Sequence, residues 1–149
     1  MKRLIRNGIA LTLTLVSVAL FAGEPQSQNT KEATEEYQFV GRHLVASYYG
    51  CDPVALRNIK ELPLIMKQGV AESGAQLLDS CEYVFQPDGL TMVLLLSESH
   101  ASIHTYPEHG ACFVDFFTCG THCTAEKFDA VLQNYLKPTK INSQIFERE

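Results

Sequence analysis

A chain of 149 residues, 46% hydrophobic and 19% charged, has the length and composition of one soluble globular domain with a sizeable core. Its net charge of −5, with no basic block, RNA-binding aromatic motif or zinc-finger spacing, argues against nucleic acid as a partner. Neither a P-loop nor a G-x-G-x-x-G occurs, so no phosphate cradle is indicated.

The N-terminus reads as a separate object. Lys2, Arg3 and Arg6 precede an apolar run from Gly8 to Ala22, with small residues at Ala19, Ala22 and Gly23. A basic head, a short apolar stretch and a small-residue end predict a signal peptide or N-terminal anchor over residues 1–23, and with it export to the periplasm or anchoring at the membrane. Residues 24–37 are polar and predict a disordered linker. The five cysteines, Cys51, Cys81, Cys112, Cys119 and Cys123, are an odd number, so at least one lacks an intramolecular disulfide partner.

The folded domain is predicted over 38–149. "QFVGRHLVASYY" reads as a strand. "CDP" opens a helix, with Asp52 as N-cap and Pro53 at the first helical position. Ala55, Ile59, Leu62, Met66 and Val70 continue it at helical spacing, Pro63 should kink it, and Gly74 should end it. "QLLDSCEYVF" is a second strand, followed by a Pro-Asp-Gly turn. "LTMVLLLSES", apolar on both faces, reads as a central strand running through Ser99, and "ASIHTY" as the next. A Pro-Glu-His-Gly turn leads to "ACFVDFFTC". Thr124 then caps a helix with Phe128, Val131, Leu132 and Tyr135 on one face, and "TKINSQIF" is the last strand. This order predicts an α/β (α+β) two-layer sandwich: a mainly antiparallel sheet with two helices on one face.

Hairpin arithmetic brings polar residues together. A turn over Pro107–Gly110 pairs Tyr106 with Ala111, which sets Cys119 opposite Glu98 and diagonal to Ser99. The turn over Pro87–Gly89 pairs Phe85 with Thr91. Thr91 and Ser99 then share one face with Phe85, whereas His104 has the opposite parity to Ser99. A break in the chain at Ser99, or a bulge, would remove that conflict.

"ESHASIHTYPEHG" followed by "VDFFTCG" resembles the pyruvoyl-dependent prokaryotic S-adenosylmethionine decarboxylase proenzymes. "GRHLVASYYGCD" and "MKQGVAESGA" resemble the same family, so the likeness spans most of residues 39–147. It implies self-cleavage between Glu98 and Ser99, giving a β chain to 98 and an α chain 99–149. The Ser99 hydroxyl would attack the Glu98 carbonyl to form an ester, and elimination would leave a covalent pyruvoyl group at position 99. His104 matches the processing base and Thr91 a hydroxyl that helps processing. The pyruvoyl carbonyl would form a Schiff base with the substrate amine and take up the electrons released with CO₂. Cys119 matches the proton donor, a role suited to a thiol, whose ordinary pKa of about 8.5 lies near working pH. Phe85 and Tyr106 match an adenine sandwich, and Glu108 a carboxylate that accepts from ribose hydroxyls.

The resemblance implies S-adenosylmethionine as substrate, spermidine biosynthesis as the purpose, and a homodimer of processed protomers. Tyr106 stands where the family usually has tryptophan, and Thr91 where it has serine. The leader departs further, because S-adenosylmethionine is a cytoplasmic metabolite and the family's work belongs in the cytoplasm. An exported relative could instead decarboxylate arginine or ornithine, or be an idle binding protein on the same fold. His122 and Cys123 in "CGTHC" lack further ligands at zinc spacing, so no metal is predicted.

Overall fold

The computed structural model describes residues 40–119 and 121–149, all within the unit Glu35–Glu149. The predicted leader and linker lie outside the described residues. The elements run β1 (Gly41–Tyr49), α1 (Pro53–Arg57), α2 (Leu62–Ser73), β2 (Leu77–Phe85), β3 (Gly89–Leu96), β4 (Ser99–Tyr106), a 3₁₀ turn (Pro107–His109), β5 (Ala111–Thr118), α3 (Ala125–Leu136) and β6 (Lys140–Arg148).

Asp52 starts α1 as its sequence position predicts. Its carboxylate accepts from the Val54 and Ala55 amides at 2.9 and 3.0 Å, satisfying two of the free donors of the first turn. The predicted kinked helix is instead two helices. Asn58 ends α1, and its side chain accepts from the Glu61 amide at 3.2 Å. Pro63 then falls in the first turn of α2, where its missing N–H costs nothing. The described residues therefore hold three helices rather than two. Gly74 closes α2 in the left-handed conformation, with φ +88°.

The strands form one antiparallel six-stranded sheet in the order β2-β3-β4-β5-β1-β6. Side chains alternate between its faces. Leu90, Met92, Leu94 and Leu96 of β3, Ala101 and Ile103 of β4, Val114 and Phe116 of β5, and Leu44, Ala46 and Tyr48 of β1 are buried toward the helices. Leu56, Met66, Val70, Phe128, Leu132 and Leu136 cover them, and the Phe116 ring stacks on Phe128 with centroids 4.5 Å apart. Burying one such side chain is worth about 1.5–3 kcal/mol.

Among the described residues, no helix packs on the opposite face. Val45, Val93, Leu95, Phe113 and Phe146 stand exposed on it beside Thr91, His100, His104 and Tyr106. The apolar second face of β3 is thus exposed among the described residues, with Val93 and Leu95 outside the core.

Two pairing expectations are corrected. Phe85 pairs with Gly89 and Thr91 with Tyr83, because the turn after β2 is two residues shorter than predicted. Phe85 and Thr91 still share a face, since both pairings join odd-numbered residues. The strand expected to continue through Ser99 stops at Leu96. Ser97 and Glu98 form a tight turn, and β4 begins at Ser99.

Candidate active site

The β3–β4 turn is held from two sides. The Ser97 amide donates to the Gln76 carbonyl at 2.9 Å, and the Gln76 amide donates to Glu98 Oε2 at 3.0 Å. Across the sheet, the Cys119 amide donates to the Glu98 carbonyl at 3.0 Å. Tyr106 pairs with Ala111 and Ser99 with Thr118, so Cys119 falls opposite Glu98 as the hairpin arithmetic predicts.

Ser99 emerges from the turn with φ +155°, a value that residues with a Cβ seldom adopt. Its hydroxyl lies 3.1 Å from His100 Nδ1. The parity conflict between Ser99 and His104 is therefore absorbed by an irregular backbone at Ser99, directly after a turn, in an unbroken chain. The imidazole beside Ser99 is that of His100, not that of the expected processing base His104. Adjacent residues of a regular strand point to opposite faces, so parity alone gave no signal for this contact.

His100 in turn meets Phe117 and His43, with ring centroids 5.8 and 6.4 Å away. Gly41, on β1, makes room beside them. A Cβ there would lie 2.4 Å from Phe117 Cε2 and 3.7 Å from Cys119 Sγ. All five cysteines are free thiols, and Cys119 is half-buried.

A second cluster lies at the other end of the same face. Thr91 pairs with His104, and the Thr91 hydroxyl is hydrogen-bonded to His104 Nδ1. Tyr106 and Phe85 flank the imidazole, with centroids 4.6 and 5.8 Å from it. Beyond Tyr106 is an apolar cavity of about 260 Å³ that Tyr49, Tyr106, His109, Ala111 and Phe113 line. Glu108 is in the 3₁₀ turn, exposed, with His109 as its near neighbour at 3.9 Å. Arg57 anchors this end: it grips the Asp88 carboxylate at 2.8 and 3.0 Å and donates to the Pro107 carbonyl at 3.0 Å.

The predicted site residues thus fall into two groups. Glu98, Ser99 and Cys119 meet at the β3–β4 turn; Thr91, His104, Phe85 and Tyr106 gather toward the 3₁₀ turn. Ser99 and His104 are five residues apart on β4, which is about 16 Å of extended chain. Within one chain the expected processing base does not reach the expected nucleophile.

This fold and site define a class: a two-layer α/β protein with a serine held at an irregular backbone position in a hairpin turn, next to a carboxylate and a thiol. Comparison with known proteins takes the class further. The family model described as S-adenosylmethionine decarboxylase matches residues 42–149. The S-adenosylmethionine decarboxylase proenzyme of Fervidobacterium nodosum is 42% identical over 98 residues, 66% of this chain and 72% of that one. That of Pyrobaculum islandicum is 40% identical over 110 residues, 73% of this chain and 88% of that one. The crystal structure of the adenosylmethionine decarboxylase from Aquifex aeolicus VF5 shares the fold with a TM-score of 0.68 at 36% identity, over 73% of this chain and 90% of that one. The chain belongs to the S-adenosylmethionine decarboxylase family.

Proposed function

We propose that this chain is an S-adenosylmethionine decarboxylase that makes its own pyruvoyl group from Ser99 and works as a homodimer. Family membership supports the reaction and the substrate, and favours S-adenosylmethionine over arginine or ornithine. Its product would supply aminopropyl groups for spermidine synthesis. The observation that carries the self-processing reading is the Glu98–Ser99 junction itself.

The geometry of that junction supports the reading of Ser99 as nucleophile and the Cys119 amide as donor. The Ser99 hydroxyl follows the Glu98 carbonyl directly in the chain, at an irregular φ. The Cys119 N–H donates to the carbonyl oxygen and so stands ready to stabilise the oxyanion that forms when Ser99 Oγ attacks the carbonyl carbon. The C–N bond then breaks, the amide nitrogen takes up a proton, and Glu98 is left joined to Ser99 by an ester. Elimination of the Glu98 carboxylate across the Ser99 Cα–Cβ bond releases the β chain. Loss of ammonia to water from the remaining unsaturated residue leaves the pyruvoyl group. When formed, that group supplies the electron sink for loss of CO₂, and the Cys119 thiol delivers a proton to the former Cα.

Two further features support the dimer. His104 and Thr91 lie about 16 Å along the sheet from Ser99, too far to act on it in the same chain. Among the described residues, the face that carries both clusters is rich in exposed apolar side chains. A two-fold pairing of these faces sets the His104 end of one subunit over the Ser99 end of the other. His104 and Thr91 then serve the partner's Ser99, and Phe85, Tyr106 and Glu108 hold the adenosyl part of substrate at the shared site.

Intact-mass measurement of protein purified from cells tests the processing step and reads removal of the leader in the same spectrum. We expect two chains meeting at Glu98–Ser99, and a single unreactive chain from Ser99→Ala. Active wild-type protein consisting of one uncleaved chain would overturn the proposal.

A further inference from the structure

Glu98, His122 and Cys123 are far apart in sequence or flank a turn, and none of the steps above uses the last two. The fold nevertheless brings one ligand atom of each to within 4.8 Å of the others. Glu98 Oε1 and His122 Nε2 are 3.3 Å apart. That spacing is the edge of a tetrahedron whose centre is about 2.0–2.1 Å from both atoms, the bond length zinc makes to nitrogen and to carboxylate oxygen. The Cys123 side chain is buried, and the Glu98 side chain is only 10% exposed. The second Glu98 oxygen accepts from the Gln76 amide at 3.0 Å, while Oε1 faces His122 Nε2 as its hydrogen-bond partner. The His122 side chain is 56% exposed, which leaves its imidazole room to adjust to a bound cation.

The expectation of no metal rested on a shortage of ligands around "CGTHC". The β3–β4 turn supplies the missing one. We propose that Glu98, His122 and Cys123 form a binding site for a single zinc-class divalent cation. The donor set of carboxylate, imidazole and thiolate suits zinc or cobalt rather than magnesium or calcium, which prefer all-oxygen sites. A fourth position stays open to water. A cation held there ties the residue ahead of the cleavage junction to the segment after Cys119. The site is argued from its own geometry and does not depend on the decarboxylase reading.

Titration of the purified protein, both of its chains together, with Co²⁺ tests the site directly. One equivalent should bind, with the intense visible bands of tetrahedral cobalt and a near-ultraviolet thiolate-to-cobalt charge-transfer band. Cys123→Ala should abolish the charge-transfer band. His122→Ala, at an exposed position that does not endanger folding, should weaken Zn²⁺ in competition with a chromophoric chelator by at least roughly 10-fold. Cys119→Ala should leave the charge-transfer band in place. An absence of stoichiometric binding would overturn the proposal. So would a charge-transfer band that survives Cys123→Ala or vanishes with Cys119→Ala, since the thiolate ligand would then lie elsewhere. Neither result would touch the cleavage or the decarboxylation, which mass and CO₂ release report separately.

Discussion

At the residue scale, the junction depends on what is absent as much as on what is present. Gly41 leaves the space into which Phe117 and the Cys119 thiol pack, and a Cβ would press to 2.4 Å on the Phe117 ring. Gly41→Ala should therefore keep the fold and shift Phe117 and Cys119 together. If Cys119 is the proton donor, turnover should fall roughly 10-fold to 100-fold, read by CO₂ release from processed protein. An unchanged rate would separate Cys119 from the chemistry. Cys123 differs from its neighbour in kind. Burial, together with the charge of Glu98, raises its thiol to about 11, so as a free thiol it stays protonated at neutral pH. Ser99, Glu98 and Cys119 were legible as a group in the sequence because hairpin pairing depends only on turn positions. The contact of Ser99 with His100 was not legible, because it needs a backbone angle that periodicity cannot supply.

At the scale of elements, capping and stacking hold the helical layer over the sheet. The Asp52 carboxyl is held below its ordinary value by the Ala55 and Val54 amides that donate to it. A depressed folded value means that the stabilisation is present above the unfolded value and is lost as pH falls through the folded one. Thermal melts of Asp52→Ala should therefore lie below wild type at neutral pH and converge with it in acid. A gap that persists unchanged at low pH would mean that packing, not the carboxylate, carries the effect. Phe128 is fully buried, stacks on Phe116 and also fills the space over Gly69. Phe128→Ala should cost about 3–5 kcal/mol, measured by denaturant unfolding. The position of Pro63 shows where sequence reading of elements fell short. Proline inside an apolar helical pattern fits both a kink and a fresh start, and the Asn58–Glu61 hydrogen bonds select the fresh start.

At the scale of the folded domain, the exposed apolar face of the sheet is the central fact. It carries the two groups of candidate residues on one sheet, separated by about 16 Å of strand that no side chain spans. If the partner completes each site, subunits with different lesions should rescue one another. His104→Ala alone should remain uncleaved. Co-expressed with Ser99→Ala, it should be cleaved in mixed dimers, because the intact His104 then comes from the partner. Mass spectrometry of the co-purified chains reads this directly. Failure of cleavage in verified mixed dimers would place the processing base within the same chain, with His100 the nearest imidazole.

By itself, the sequence determined the alternation of strands, the hairpin register around Pro107–Gly110, the capped start at Asp52 and the motif that carries the family. These are local, short-range properties, set by turn chemistry and by the period of apolar residues. Only the tertiary structure decided that the strand turns back before Ser99, that β1 is inserted between β5 and β6, and that one face of the sheet lies away from the three helices of the described residues. It alone divided the site residues into two groups and brought Glu98 to His122 and Cys123. Those outcomes depend on which faces the helices cover and on contacts between residues far apart in the chain, and no local pattern encodes them.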